Sequence, residues 1–554
     1  MCGSAPAGDT RKTLRRAALL ALTLVLVAAP APSQSGTCAA CEDFAAAASS
    51  STSVLDAIAR RNIDMTRPLL ESDRGKLGDF YAACMDSAAI ERGGTEALGP
   101  ILGAVDAISG EPTLTHALAA MDSIGVDALW EAGSEVDARG GPRIVPFVAP
   151  PDDAGGEGTF VSLATLQERV PEIDWDRYFR ERGFPAFAEI DMVNPKYFTT
   201  LQAALQHATV GQLKADLHDR ALAAFAPWLP EGLGGERTSE PRWERCVIAV
   251  DSGFRDELGQ AWVARALSPD AKARAKAMVA SIAAALRADL ENVVWLSAAS
   301  RTEALAKLDR MTFAIGYPDR WPEESNAVIV RGDFLGDLLR ARRARIAREI
   351  ARIGQPLDRD AFGLSLEAVN AYYAPLRNEI VVPAGILQPP LFAADVAADY
   401  GGIGAVIGHE MTHAFDETGR LYDATGTQRD WWTPDTAAAF EARAACVTRQ
   451  FAGFSLDGAR VRNEAVADLG GLELAYRAFR KSGADSGKGA EQRFFRAFAR
   501  MWSGSSTATE ADPHPPNHDR VDGTVQNMPQ FAAAFGCAPG DAMVRSAAER
   551  CSVW

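Results

Sequence analysis

Apolar residues recur at three- and four-residue spacing through most of the stretch from Leu55 to about Ile353, the periodicity of amphipathic helices. Ala271–Trp295 shows it most clearly, because Met278, Ile282, Leu286 and Leu290 would share one face of an alanine-rich helix. Glycine and proline cluster at 140–158 and 227–241, where loops or boundaries are expected. Near Gly354 the pattern changes. Two short runs, Ala368–Tyr373 and Asn378–Val382, are β-branched or aromatic and flank Pro375, which predicts a two-stranded hairpin. Beyond Gly401 the helical spacing resumes. The apolar run at the start of the chain is of another kind. Arg11, Lys12, Arg15 and Arg16 precede an apolar stretch from Ala17 to Ala29, and the small residues Ala31 and Ser33 suit a cut before Gln34. As a helix that stretch reaches only about 20 Å of a hydrocarbon core about 30 Å thick. Residues 1–33 are therefore expected to be a cleaved signal peptide. The chain is expected to be secreted, periplasmic or extracellular, with no membrane contact afterwards.

Composition adds boundaries rather than a function. With 554 residues, 47% hydrophobic and 23% charged, the chain is globular and long enough for two domains. Its net charge of −16 repels polyphosphate, which argues against nucleic acid as a partner; solubility is its plainer meaning. Outside the first 33 residues there are seven cysteines: Cys38, Cys41, Cys84, Cys246, Cys446, Cys537 and Cys551. Export permits disulfides, the odd number leaves at least one thiol without an internal partner, and spacing alone does not say which pair. Only Cys38-Ala-Ala-Cys41 has CxxC spacing, so a four-cysteine metal site is not expected.

The chemistry concentrates near the C-terminus. His409-Glu410-Met-Thr-His413 is an HExxH sequence; on a helix its two imidazoles share one face, and Glu410 projects beside them where it can take a proton from water. The overlapping Gly402-Ile-Gly404-Ala-Val-Ile-Gly408 has no preceding strand, so close helix packing is the reading rather than a dinucleotide loop. A catalytic zinc takes three protein ligands and leaves one position open. Glu417 is too close on the same helix, and Glu441 lies in a surface-like one. Glu464-Ala-Val-Ala-Asp468 puts two acids on one face of an otherwise apolar helix. From the residues alone, either Glu464 is the ligand and Asp468 orients an imidazole, or the two form a salt-bridged pair. Likewise, His514 reads as a loop histidine and Arg520 as a surface arginine. His116, His207 and His218 have no partner pattern and read as ordinary histidines.

Together these residues resemble the neprilysin family of zinc metallopeptidases, peptidase family M13. The likeness is carried by Asn370-Ala-Tyr-Tyr373, Val382–Pro390, the block from Tyr400 through the HExxH to Asp430-Trp-Trp-Thr433, Glu464–Gly471, Asp512-Pro-His514 with Arg520-Val521, and Cys551-Ser-Val-Trp554. Weaker similarity runs through the N-terminal half, at Cys41–Phe44, Gly78–Cys84, Trp243–Cys246 and Ile315–Asp319.

The resemblance implies a mainly α fold with a small β part: a thermolysin-like zinc-peptidase catalytic domain at 356–554, and a helical domain at 34–355 whose first residues are strapped to the catalytic one. That helical domain would cover the active site and is shortened after Phe44 and between Pro151 and Leu163. The resemblance also implies one Zn2+ per chain on His409, His413 and Glu464, with Glu410 as general base and Asp468 behind the metal. His514 would stabilise the oxyanion. Asn370, Ala371 and Arg520 would hold the substrate backbone, and Ile386, Leu391, Val406 and Trp502 would line an apolar pocket. Implied disulfides are Cys41–Cys537, Cys84–Cys246 and Cys446–Cys551, with Cys38 left over. The implied activity is an endopeptidase of oligopeptides, cutting on the amino side of large hydrophobic residues.

Overall fold

A computed structural model describes residues 38–554, except 49, 142, 152–157, 234–239, 485–486, 505 and 507–511. The expected signal peptide lies outside the described residues. Helices dominate, as the periodicity predicts. Pro269–Asn292 is capped by the Ser268 hydroxyl and buries Met278, Ile282, Leu286 and Leu290 on one face. No described helix is long and apolar enough to cross a membrane.

The N-terminal half is less purely helical than its periodicity suggests. Strands β1 (Glu131–Val136), β2 (Ile144–Ala149), β3 (Gly158–Ser162) and β4 (Glu189–Val193) form a mixed sheet in the order β1-β2-β4-β3. β1 and β2 are an antiparallel hairpin, so the glycines at 140 and 141 sit in its turn instead of at a domain boundary. These strands escape a periodicity scan for a physical reason. β1 buries only Ala132, so it carries no alternation of apolar and polar positions.

The second sheet builds a wall of the site. β5 (Thr312–Gly316) pairs parallel with β7 (Glu379–Pro383), and β6 (Tyr372–Ala374) pairs antiparallel with β7 from the outside. β7 is central and wholly buried, whereas β6 is an edge strand. The hairpin turns at Pro375–Asn378, where Asn378 takes a left-handed φ of 44°. β6 starts later than the expected Ala368, and just ahead of it the Ala371 N–H donates to Asn370 Oδ1 (3.0 Å). Residues on both sides of position 355 thus contribute strands to one sheet.

Behind this sheet the HExxH helix (Ala405–His413) crosses the glutamate helix (Arg462–Lys481) in backbone contact. A Cβ on Gly408 would lie 2.4 Å from the Gly471 carbonyl oxygen, and one on Gly471 would lie 2.3 Å from the His409 nitrogen. The glycine-rich run therefore serves close packing, as the sequence indicated. Disulfides Cys41–Cys537, Cys84–Cys246 and Cys446–Cys551 are present, and Cys38 is free and exposed. The first of these straps the N-terminal segment to the C-terminal part, assisted by Phe44 packing on Phe531 and Phe535.

Gly408→Ala or Gly471→Ala is expected to cost about 1–3 kcal/mol or more by overpacking the crossing. Gly489→Ala, in a helix with nothing within 4 Å of the added Cβ, is expected to be neutral or slightly stabilising. Chemical denaturation of the three variants checks this; equal midpoints would remove the crossing as a constraint.

Candidate metal and catalytic site

All nine residues of the HExxH helix are buried, and His409, Glu410 and His413 lie on its inner side. Each imidazole is fixed at Nδ1 by a carboxylate. His409 Nδ1 is 2.9 Å from Asp468 Oδ1, and His413 Nδ1 is 2.6 Å from Asp416 Oδ2. Asp416 also accepts the Thr418 and Gly419 N–H groups at 2.8 and 2.7 Å. Because an ionised carboxylate only accepts, Nδ1 of each ring is the donor to its carboxylate, which leaves Nε2 as the atom that can offer a lone pair inward. Those two Nε2 atoms are 2.9 Å apart. Glu464 Oε2 lies 3.3 Å from one and 3.5 Å from the other.

Three lone-pair donors converging on one point require positive charge between them. A proton on one Nε2 would satisfy the imidazole pair only. Glu464 Oε2 would stay bare, since it is buried and among the described residues has no hydrogen-bond partner. A tetrahedral divalent cation with ligand bonds of about 2.0–2.1 Å holds its donors about 3.3 Å apart, close to the 3.3 and 3.5 Å separations from Glu464, while the imidazole pair at 2.9 Å is closer together. His409, His413 and Glu464 could therefore hold a metal. The electrostatics agree. Burial opposes the charge on Glu464, yet His413, His409 and His514 outweigh it and hold its carboxyl well below the usual carboxylate range. Burial likewise opposes a proton on His413, and Glu464 with Asp416 outweighs it, so this ring's affinity for positive charge is well above the ordinary.

Asp468 does two jobs. Its Oδ1 receives His409 Nδ1–H and Arg520 Nη2 (2.7 Å), and its Oδ2 receives Arg520 Nε (2.6 Å). Burial disfavours its charge, but Arg520 and then His409 hold its carboxyl low. Arg520 comes from the helix Asn517–Val525, is 2% exposed, and stacks its guanidinium 3.7 Å from the Trp502 ring centroid. Read from sequence alone it was a surface arginine; burial beside Asp468 overturns that.

Glu410 Oε2 accepts the Tyr373 backbone N–H at 2.9 Å, while Oε1 is buried and among the described residues has no hydrogen-bond partner. His514 is anchored by Asp512, whose Oδ1 is 2.7 Å from Nδ1 and 3.0 Å from the backbone nitrogen. Its Nε2 points toward Glu464 Oε2 at 3.2 Å and, among the described residues, makes no hydrogen bond. Asn370 and Ala371 stand just ahead of edge strand β6, whose Tyr373 reaches Glu410. Ile386, Leu391, Val406 and Trp502 are all buried. The structure ties Trp502 to the site through Arg520, and Leu391 to the approach of the HExxH helix through the Ile403 N–H (3.4 Å). All four are apolar and buried in this arrangement.

Other candidates fall away. Glu417 and Glu441 both pair with Arg462 outside the site. His116 and His218 pair with Glu181 and Asp106, and His207 is exposed. Sequence reasoning gave no role to Asp416, Asp512 or the Tyr373 N–H. The i,i+3 spacing of His413 and Asp416 was the signal for the first.

The chain is thus a mainly α protein with a buried HExxH-plus-glutamate triad able to hold a metal. Models of peptidase family M13 match residues 370–551 and, for the N-terminal part, 143–318, and the chain belongs to that family. It is 34% identical over 441 residues to endothelin-converting enzyme 1 of Mus musculus, covering 71% of this chain and 57% of that protein. An endothelin-converting enzyme homolog of Locusta migratoria is 29% identical over 466 residues, covering 74% of this chain and 64% of that one. The chain therefore spans less than two thirds of the length of these relatives. Among solved structures, Mycobacterium tuberculosis zinc metalloprotease Zmp1 in complex with an inhibitor superposes with a TM-score of 0.82 at 26% identity, covering 93% of this chain and 97% of that one. PepO from Lactobacillus rhamnosis shares the fold, with a TM-score of 0.78 at 23% identity and 93% and 99% coverage.

Asp468→Asn is expected to destabilise the protein by about 3–5 kcal/mol, because it weakens the carboxylate opposite a buried guanidinium and an imidazole N–H. Urea unfolding of the wild type and variant checks this. A loss below about 1 kcal/mol would mean the Asp468–Arg520 pair is dispensable.

Proposed function

We propose that this chain is a secreted zinc endopeptidase of oligopeptides, cutting on the amino side of large hydrophobic residues. The observation that carries it is the convergence of His409 Nε2, His413 Nε2 and Glu464 Oε2 beside a general-base candidate, Glu410, with an unpartnered oxygen. The three disulfides fit an oxidising, exported location.

When bound, zinc supplies Lewis acidity toward a peptide carbonyl and lowers the pKa of water. The chain's own residues do the rest. Glu410, held at Oε2 by Tyr373, accepts the proton of the attacking water at Oε1 and delivers it to the leaving amine. His514, anchored by Asp512 through Nδ1, presents Nε2; as imidazolium it donates to the oxyanion of the tetrahedral intermediate. Asn370 and Ala371 beside β6 bind substrate backbone as an added strand, which reads main chain rather than sequence. Arg520 grips a substrate carbonyl while Asp468 holds its guanidinium in place. Ile386, Leu391, Val406 and Trp502 give the apolar surface that favours a large hydrophobic residue after the cut.

Purified protein should cleave an internally quenched peptide, lose that activity to chelator and regain it with added Zn2+. Glu410→Gln should bind zinc as the wild type does but fall at least 10³-fold in kcat. His514→Phe should lose about 10²–10³-fold in kcat. A zinc-loaded wild type as inert as Glu410→Gln would instead make the chain a peptide-binding protein.

A further inference from the structure

Lys307 is a buried cation that no step above uses. It lies on the helix Ala298–Arg310, is 0% exposed, and its Nζ donates to the carbonyls of Gly419 (2.7 Å) and Tyr422 (2.6 Å). Burying an ammonium among apolar groups is unfavourable, and here burial pushes the lysine down to about 7 against the pull of Asp416 and Asp423.

Two chains of contacts lead from it to the reacting groups. The first is through its side chain. Gly419, whose carbonyl Lys307 holds, gives its N–H to Asp416 Oδ1, and Asp416 Oδ2 fixes His413 Nδ1. Lys307 thus anchors the turn that sets the orientation of a metal-binding imidazole. The second runs through the strand. Nζ lies 5.4 Å from the Tyr373 ring centroid, within cation–π range. The Lys307 carbonyl accepts Asn378 Nδ2 (2.9 Å), and Asn378 Oδ1 accepts the Tyr373 hydroxyl (3.1 Å). The backbone N–H of Tyr373 holds Glu410. One residue from the N-terminal half therefore braces both an imidazole and the base from behind.

We propose that Lys307 is a positioning residue: it sets the geometry of the metal-binding imidazole His413 and of the base Glu410 without touching substrate or metal. Its kinetic consequence rests on the peptidase reading, whereas its consequence for metal affinity does not.

The test compares full-length wild type, Lys307→Met and Lys307→Gln for zinc affinity, by competition with a chromophoric chelator. It also measures kcat and KM with zinc saturating, and the melting temperature. Lys307→Met is expected to weaken zinc binding about 10–100-fold and to lower kcat about tenfold or more at saturating zinc, with KM changed less than threefold. Lys307→Gln, uncharged and one bond shorter, should fall between. Zinc affinity and kcat within threefold of wild type in either variant, or losses that only track the unfolded fraction, overturn the proposal. Should Lys307→Met fail to fold, a cycle of Lys307→Gln with Asp416→Asn decides. Losses of zinc affinity that overlap in the double variant support a shared path, and additive losses overturn it. If the wild type cleaves no peptide, the proposed function fails while the zinc-affinity measurement still decides the role of Lys307.

Discussion

The structure depends on one close approach, the crossing of the HExxH helix with the glutamate helix at Gly408 and Gly471. With side chains at those positions the helices would stand apart, and Glu464 could not reach the two imidazoles. The backbone contact brings the Glu464 carboxylate to 3.3 and 3.5 Å from two nitrogens on the facing helix. From there the layers build outward. Asp468, one turn on from Glu464, orients His409 and receives Arg520, and Arg520 stacks on Trp502.

The electrostatic arrangement is lopsided in a useful way. Glu464, Asp468 and Asp416 lie almost wholly buried around two imidazoles, and among the described residues the Arg520 guanidinium and Lys307 are the cations placed to balance them. Carboxylates on the outer ring nitrogens push the lone pairs inward, and the surplus negative charge then favours a cation where those lone pairs meet. The site is built from the outside in, and its binding point follows from the second ring of contacts as much as from the three donors.

The sequence disclosed this site unevenly. HExxH was legible because helix period alone puts its two histidines on one face. Glu464 and Asp468 were legible as acids on an apolar face, either a ligand with an orienting partner or a salt-bridged pair; their distances to His409 Nε2 and Nδ1 match the first. The β6–β7 hairpin was visible in its β-branched runs. The sheet of β1–β4 was not, because β1 buries a single residue and looks like loop. Arg520 and Lys307 carry no local mark at all. Their burial is set by residues distant in sequence, Asp468 for one and the Gly419–Tyr422 turn for the other.

The central claim is that His409, His413 and Glu464 jointly hold one zinc ion. X-ray absorption at the zinc edge of the zinc-loaded protein tests it most directly. The account predicts nearest atoms that are all nitrogen or oxygen at about 2.0–2.1 Å, with the outer-ring scattering of two imidazoles. Sulfur at about 2.3 Å, or a shell without imidazole, would contradict it.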